Sequence, residues 1–251
     1  MDINSSKICI VYPKPSIPPR WISKTSDLYS EVDITLPPLG ILYIISNSKY
    51  DVDIIDNRVK KYEHSKLIKI LSEYDIVGFG GTIIEIKEAR KLSFYLRKKG
   101  IKTIYGGPNA TVNWNMYINI FDVIIRGEAE GIFDNVILNI NNLERIGMKK
   151  IDRTYLNIEP YRVTNLDKLN YPARYKIDIN EYKREETEYL RGTFPVDTIV
   201  SSRGCPFNCY FCSSKIIWQK KCGLRSVDNL LKEIDFMIEK YGSKAIYFRE
   251  D

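Results

Sequence analysis

Three cysteines lie within eight residues of one another, at Cys205, Cys209 and Cys212. The chain has five cysteines in all, whereas a secreted disulfide framework usually spreads an even number over a short chain. Clustered thiols outside such a framework favour metal binding. The CxxxCxxC spacing supplies three thiolates, one fewer than the four that hold an electron-transfer cluster. We therefore predict that these cysteines ligate three irons of a 4Fe-4S cluster and leave the fourth iron open to bind a substrate.

Two other roles for the cysteines stay open. A structural zinc site usually has four ligands, and the nearby fourth candidate is Cys222, since the single histidine, His64, is far away along the chain. Three unligated core cysteines are the second alternative. Cys222 lies in a basic segment and Cys9 in an apolar run, so both are expected to be free thiols. His64 is expected to be a solvated residue at a helix start rather than an axial ligand.

The elements that must position these residues follow from hydrophobic periodicity. Short runs rich in Ile and Val are typical of strands buried on both faces, and apolar residues at helical spacing occur between them. The predicted strands are residues 7–12, 52–56, 75–79, 102–105 and 121–126, and the predicted helices are residues 40–46, 65–71, 85–99 and 128–140. This alternation predicts an α/β fold for residues 1–146, with a doubly wound parallel five-stranded sheet.

Glycines follow three of the predicted strands. They lie in residues 78–82, 106–107 and 127–128, at the carboxyl ends of strands, where doubly wound sheets bind their ligands. Glycine lets a backbone approach a bulky ligand closely, but it is also common in ordinary loops. Spacing alone leaves a ligand site and plain loop structure equally open.

The rest of the chain divides into two parts. Residues 147–193 lose the periodicity, and we predict an ordered connector that packs on both neighbours. Within residues 194–251, segments 196–200 and 245–248 are predicted strands, and residues 227–240 are a predicted amphipathic helix. The cysteine motif follows the first of these strands, at the end where barrel enzymes place their sites.

Composition and charge limit the class of protein. The 251 residues carry a net charge of +6 without the block of like charge that is typical of a nucleic-acid-binding arm. RNA or another anionic partner is therefore permitted but not specifically indicated. The N-terminus lacks the pattern of a signal peptide, and no apolar run reaches the roughly 18 residues of a membrane span. We expect a cytoplasmic protein.

The cysteine segment resembles a known family. Residues 203–212 are similar to the start of the radical S-adenosylmethionine (SAM) core, including the aromatic Phe211 before the last cysteine. The preceding part resembles the cobalamin-binding domain of that family's cobalamin-dependent subgroup. The matching segments are residues 37–40, 53–56, 78–82, 106–108 and 126–130, and residues 166–174 resemble the subgroup's linker. Together these segments extend over nearly the whole chain.

This resemblance implies a fold and a set of cofactors. Residues 1–146 would be a flavodoxin-like, cobalamin-binding domain, and residues 194–251 would be the truncated start of the radical SAM core, the first units of a partial (β/α) barrel. The implied cofactors are a 4Fe-4S cluster, SAM and cobalamin. The implied cobalamin contacts are Thr82, Gly106, Gly107, Leu39 and Glu128. The implied SAM contacts are Phe211, Glu250 and Asp251, because residues 248–251 resemble an acidic motif of the core.

The resemblance also implies a reaction. The cluster cleaves SAM to a 5′-deoxyadenosyl radical, which abstracts hydrogen from an unreactive carbon, and methylcobalamin donates a methyl group; some relatives form rings or rearrange their substrates instead. A small-molecule or lipid substrate, rather than nucleic acid, and an electron donor are the implied partners. The family's Gly-Gly-Pro-His sequence ends in Asn109 here, and the Asp-x-His-x-x-Gly motif is missing, so an axial histidine is not predicted.

Three functional hypotheses follow. The first is an enzyme, or the N-terminal part of one, that performs cobalamin-assisted radical methylation. The second is a cobalamin-binding module with an incomplete and inactive radical SAM segment. The third is a cobalamin-independent radical SAM enzyme that modifies RNA. Because the family's barrel needs further strand–helix units, we expect a fragment, one piece of a split protein completed by a second chain, or a truncated reading frame.

Overall fold

A seven-stranded sheet forms the centre of the protein. The computed structural model describes residues 3–15, 36–182 and 196–249. The strands of this sheet are β1 (Ile8–Tyr12), β2 (Val52–Asp56), β3 (Ile76–Phe79), β4 (Lys102–Tyr105), β5 (Val123–Ile124), β6 (Lys149–Ile151) and β7 (Thr154–Leu156). Their order across the sheet is β2-β1-β3-β4-β5-β7-β6. All neighbouring strands are parallel except β6 and β7, so the fold is mixed α/β with a mostly parallel sheet.

Helices cover both faces of the sheet. They are α1 (Leu39–Asn47), α2 (Asn57–Lys60), α3 (His64–Leu71), α4 (Ile86–Lys98), α5 (Pro108–Val112) and α6 (Phe133–Leu138). Successive residues of a strand point to opposite faces, and in β1 the Ile10 side chain packs with α1 and α6 while Val11 packs with α3 and α4. Both faces of the strands are therefore apolar, which explains the uninterrupted Ile- and Val-rich runs in the sequence.

The sheet differs from the sequence prediction at one edge. Five parallel strands were predicted for residues 1–146, whereas β6 and β7 lie inside the stretch predicted to be a connector, residues 147–193. Lys149 and Lys150 are exposed on β6, which is the last strand of the sheet and therefore needs no second apolar face. This edge hairpin lacks the continuous apolar run on which the strand prediction relied.

The C-terminal part forms two small sheets around one long helix. Its elements are β8 (Val196–Ile199), β9 (Ser202–Arg203), α7 (Ser214–Ile217), β10 (Gly223–Leu224), α8 (Val227–Tyr241) and β11 (Ala245–Phe248). β8 and β11 pair in parallel across α8, and β9 and β10 pair antiparallel. Helix α8 begins where Ser226 accepts a hydrogen bond from the Asn229 N–H, and it ends at Gly242 in the left-handed conformation. Among the described residues, no helix is both long and apolar enough to cross a membrane.

A buried network of four charged residues joins this part to the rest of the chain. Arg174, which follows the sheet, donates through Nη1 to Glu233 Oε1 at 2.8 Å, and its Nε lies 2.7 Å from Asp197 Oδ2. Arg225 Nη1 lies 2.5 Å from the other oxygen of Glu233. All four side chains are almost completely buried. Two carboxylates and two guanidinium groups balance in charge, which is how a protein interior accommodates ionised groups.

Candidate functional site

A cavity of about 450 Å³ lies at the carboxyl ends of β1, β3 and β4. Its walls come from the loops after these strands and from the first turn of α1. From the C-terminal part it is lined by β9, by the end of α7 with the following Trp218, and by Val200 and Arg249. All five sequence-predicted cobalamin contacts line this cavity: Leu39, Thr82, Gly106, Gly107 and Glu128. The glycine-containing strand ends therefore do meet at one concave site.

Two consecutive glycines expose bare backbone to the cavity after β4. Gly107 has φ +103°, a conformation that residues with a Cβ rarely adopt, and a Cβ there would lie 3.3 Å from the carbonyl oxygen of Gly81. Gly106 lies outside the left-handed region, and the nearest atom that its Cβ would meet, the Ile125 carbonyl oxygen, is 3.9 Å away. The turn thus requires glycine at Gly107, whereas the backbone at Gly106 would tolerate a Cβ and lines the cavity without one.

Leu39 and Thr82 contribute two different kinds of wall. Leu39 is the first residue of α1 and is buried. Thr82 lies in the loop between β3 and α4, and its N–H and Oγ1 both donate to Glu85 Oε2, at 2.7 and 2.8 Å. Glu85 is itself buried. The loop after β3 is therefore fixed by its own carboxylate, while the Thr82 residue stays exposed at the cavity rim.

Glu128 differs from the other four predicted contacts because its carboxylate binds groups of the connector and of the C-terminal part. Its Oε1 accepts a hydrogen bond from Arg203 Nη1 at 2.8 Å, and its Oε2 accepts one from the Val163 N–H at 2.7 Å. Arg162 Nη1 lies 3.1 Å from Oε2. Arg203 Nη1 also lies 2.9 Å from Glu130 Oε1. Both oxygens of the Glu128 carboxylate are thus engaged by groups of the protein itself.

The cysteines lie in residues 204–222, here called the cysteine loop. β9 and β10 pair at its base. Gly204, which opens the loop, has φ +101°, and a Cβ there would overlap the carbonyl oxygen of Lys221. Within the loop, α7 packs against α5, the helix that follows Gly107. The loop is therefore closed tightly at its base and lies beside the glycine wall of the cavity.

The three cysteines of the motif are accessible to solvent to different degrees. Cys205 and Cys212 are half-buried and Cys209 is exposed, and none of the chain's five cysteines forms a disulfide. The Cys212 N–H donates to the Cys209 carbonyl oxygen at 3.2 Å. Across residues 3–15, 36–182 and 196–249, no three His, Cys, Asp or Glu side chains are grouped so as to hold a metal ion. The cluster site stays a prediction, supported by three thiols on one solvent-accessible loop, a donor set that suits an iron–sulfur cluster.

Of the three predicted SAM contacts, the structure describes Phe211 alone. Phe211 is 88% exposed on the cysteine loop. Glu250 and Asp251 lie outside the described residues. The adjoining Arg249 lines the cavity, and its N–H donates to the Ile199 carbonyl oxygen at 2.8 Å.

Asn109 and His64 both point to partners away from the cavity. Asn109 Nδ2 donates to the hydroxyls of Tyr105 and Tyr117, both at 2.8 Å, in a buried cluster. His64 begins α3, and its Nδ1 lies 2.6 Å from Oε1 of the buried Glu88. Neither residue lines the cavity. Asn109, which stands where the resemblance pointed to a histidine, therefore has a packing role.

Four ionisable groups at the cavity, Tyr12, Tyr43, Arg58 and Arg203, are neutral or paired. Burial raises the pKa of Tyr12 to about 12, and burial likewise raises the pKa of Tyr43 to about 12, so both phenols are uncharged at neutral pH. The guanidinium of Arg58 stacks 3.7 Å from the Tyr12 ring and donates to Asp56. Burial opposes the charge of Arg203, but Glu130 and Glu128 raise its pKa above the ordinary value. Such a wall suits a large ligand held by apolar contact and neutral hydrogen bonds.

Several residues of this site were not assigned a role from the sequence. Arg203 was part of the cysteine motif, but its two carboxylate partners come from the loop after β5. The guanidinium of Arg162 stacks 4.7 Å from the ring of Trp218, which belongs to the cysteine loop. A signal was present in the chain, because Glu128 and Glu130 flank one alanine directly after Arg126-Gly127. Nothing in that spacing specifies which arginines they meet.

Comparison with known proteins indicates a class of enzyme. The chain is 27% identical over 235 residues to an uncharacterised methyltransferase of Pyrococcus horikoshii, a match that covers 88% of this chain and 50% of the relative. It is 24% identical to the hopanoid C-3 methylase of Methylococcus capsulatus, over 82% of this chain and 41% of that protein. No protein-family model matches the chain. The sequence is therefore similar to methyltransferases.

A solved structure shares the fold. The radical SAM methyltransferase TsrM from Kitasatospora setae, solved with tryptophan and a SAM analogue, aligns with a TM-score of 0.65 and 14% identity. The alignment covers 98% of this chain and 48% of TsrM. The chain spans half the length, or somewhat less, of the curated relatives that it matches.

Proposed function

We propose that this chain forms the cobalamin- and cluster-bearing part of a radical SAM methyltransferase that methylates an unactivated carbon. The observation that carries the proposal is the cavity at the carboxyl edge of the sheet, which is lined by bare glycine backbone and, beside it, by Ile217 and Trp218 of the cysteine loop. The similarity to methyltransferases and the shared fold of TsrM support the same class. In this proposal the sheet is a flavodoxin-like domain, and β8, α8 and β11 are the first unit of a (β/α) barrel.

Each predicted site residue has a proposed role. Leu39, Gly106 and Gly107 would contact cobalamin through apolar and bare backbone surface, and Thr82 would lie at its rim. Cys205, Cys209 and Cys212 would hold the 4Fe-4S cluster, with Phe211, Glu250 and Asp251 as SAM contacts. When bound, the cluster with SAM supplies hydrogen abstraction and cobalamin supplies methyl transfer. The apolar cavity wall would exclude water from the space between them.

A small-molecule or lipid substrate is the proposed class, in keeping with the hopanoid methylase among the relatives. The tightly closed base of the cysteine loop and its packing on α5 would bring the cluster to the same opening that cobalamin uses. A single substrate carbon at this opening could then be reached by both the cluster-bound SAM and cobalamin.

Substitution of Gly106 tests the cavity directly. Gly106→Ala, Gly106→Leu and Gly106→Trp add side chains of increasing size at a cavity-lining position where a Cβ makes an ordinary contact, 3.9 Å from the Ile125 carbonyl oxygen, and where the backbone is outside the left-handed region. Gly106→Ala is the matched control and should bind hydroxocobalamin within about threefold of the wild type, whereas Gly106→Leu should weaken binding roughly tenfold and Gly106→Trp should abolish it. Equilibrium dialysis with absorbance detection measures the binding, and thermal unfolding checks that the fold is retained. Wild-type affinity in a folded Gly106→Trp variant would remove cobalamin from the proposal.

A further inference from the structure

We propose that Glu128 is a positioning residue that holds both ends of the cysteine loop over the cavity, rather than a contact of cobalamin. This inference rests on the proposed function, because it concerns how the predicted cluster loop is placed beside the predicted cobalamin site. Glu128 is buried in the loop after β5 and lines the cavity. Its partners belong to the connector and to the C-terminal part.

The first end of the loop is held through Arg203. Arg203 immediately precedes Gly204, so its position sets where the loop begins. Its guanidinium contacts Glu128 and Glu130 at 2.8 and 2.9 Å and stacks 4.7 Å from the ring of Tyr43 on α1. Two carboxylates and an aromatic face fix the planar guanidinium in one orientation.

The second end of the loop is held through Arg162. Arg162 pairs with the other oxygen of Glu128, and its guanidinium stacks on Trp218 near the end of the loop. Beside it, Gln219 Nε2 donates to the Pro160 carbonyl oxygen at 3.0 Å. One carboxylate therefore connects the residue before the loop with an aromatic residue near its end.

The Glu128 carboxylate has little capacity left for a ligand. Oε1 accepts from Arg203 and Oε2 accepts from the Val163 N–H, while Arg162 Nη1 forms an ion pair with Oε2 at 3.1 Å without hydrogen-bond geometry. A ligand that hydrogen-bonded to Glu128 would have to displace a charged partner from a buried site, which is costly. Of the other four predicted contacts, Leu39, Gly106 and Gly107 offer only apolar or backbone surface, whereas Thr82 donates to the carboxylate of Glu85.

The chain's own cysteines report on this role. In the cofactor-free protein, iodoacetamide labelling at pH 9.5 is followed by peptide mass spectrometry. Cys205 is half-buried in the loop, Cys209 and Cys222 are exposed, and Cys9 is buried in β1. Glu128→Gln leaves an amide N–H₂ facing an arginine, so the loop should open locally and Cys205 should label roughly tenfold faster. Labelling of Cys9, Cys209 and Cys222 should change by less than about twofold.

Variants of Arg203 supply the matched control. Arg203→Gln should match Glu128→Gln, whereas Arg203→Lys keeps the charge but loses the planar stacking group and should give a Cys205 labelling rate between those of the wild type and Arg203→Gln. Unchanged Cys205 labelling in Glu128→Gln would overturn the proposal. A parallel rise at Cys9 would also overturn it, because general unfolding exposes β1 as well.

A binding measurement separates this inference from the proposed function. Glu128→Gln should bind hydroxocobalamin within about threefold of the wild type, since the carboxylate is engaged elsewhere. Weaker binding by a factor of ten with unchanged labelling would assign Glu128 to cobalamin and refute the positioning role. Failure of the wild-type chain to bind cobalamin would refute the proposed function alone, because the labelling pattern is measured without cofactors.

Discussion

Removing one carboxylate from the buried network at Glu233 should destabilise the protein more than any surface change on the same helix. Glu233 is completely buried and contacts Arg174 and Arg225 at 2.8 and 2.5 Å. Glu233→Gln keeps the shape but leaves Arg174 with Asp197 as its remaining carboxylate and takes away the carboxylate that Arg225 contacts. Breaking a buried ion pair from one side costs about 3–5 kcal/mol, because the remaining charge stays out of water. We expect a loss of that size.

Urea denaturation followed by circular dichroism measures the loss. For a chain of this size the dependence on urea is about 3 kcal/mol per molar, so the midpoint should fall by about 1 M or more. Glu239→Gln is the matched control, because Glu239 is exposed on the same helix α8, and it should change stability by less than about 0.5 kcal/mol. In a double-mutant cycle, Glu233→Gln together with Arg174→Gln should cost less than the sum of the two single variants.

Two results would refute this reasoning. A cost below about 1 kcal/mol for Glu233→Gln would mean that the arginines find water or other partners on losing the carboxylate. Strict additivity with Arg174→Gln would mean that the two side chains do not interact, despite the 2.8 Å between them. Either result would refute the claim that this buried network attaches the C-terminal part to the rest of the chain.

Three further outcomes follow from single contacts. Asn109→Leu leaves two buried tyrosine hydroxyls without their donor, so the free energy of unfolding in urea should fall by about 2 kcal/mol. The affinity for hydroxocobalamin should change by twofold or less. A larger change in affinity would place Asn109 in the site. Burial raises the pKa of Tyr43 to about 12 from the ordinary value of 10.0, and the stability that this gives the folded state below pH 10 is lost as the pH rises towards 12. Between pH 10 and 11 the free energy of unfolding of Tyr43→Phe should therefore fall by about 1 kcal/mol less than that of the wild type. Equal decreases in the two proteins would contradict the raised pKa. Gly204→Ala should strain the base of the cysteine loop by about 1–3 kcal/mol, and trypsin should then cut after Lys221 severalfold faster; an unchanged rate would mean that the base tolerates a side chain.

The strands of the sheet body could be predicted because burial on both faces leaves a strong local signal. Residues 52–56 and 102–105 were predicted with the bounds that β2 and β4 have. The edge hairpin of β6 and β7 was missed, since an edge strand with exposed lysines has no continuous apolar run. Strand order was not visible in the sequence either, because pairing depends on contacts between distant residues.

The candidate site was predictable in outline and not in detail. The glycine segments and Leu39 were expected at one edge of the sheet, and the structure brings them to one cavity. The partners of Glu128 could not be foreseen, because Arg203 is 75 residues away along the chain and only the folded arrangement brings the two together. The role of Asn109 could not be predicted either, because only the folded chain shows that its side chain donates to Tyr105 and Tyr117.

Iron content after anaerobic reconstitution tests the central claim most directly. The chain is treated with iron and sulfide, freed of excess reagents, and assayed for iron and for absorbance of the cluster. The wild type and Cys222→Ala should retain about four iron atoms per chain, whereas Cys205→Ala, Cys209→Ala and Cys212→Ala should each lose most of the iron. Equal iron in the wild type and in all three motif variants would contradict the assignment of the cysteine loop as the cluster site, and with it the proposed radical chemistry.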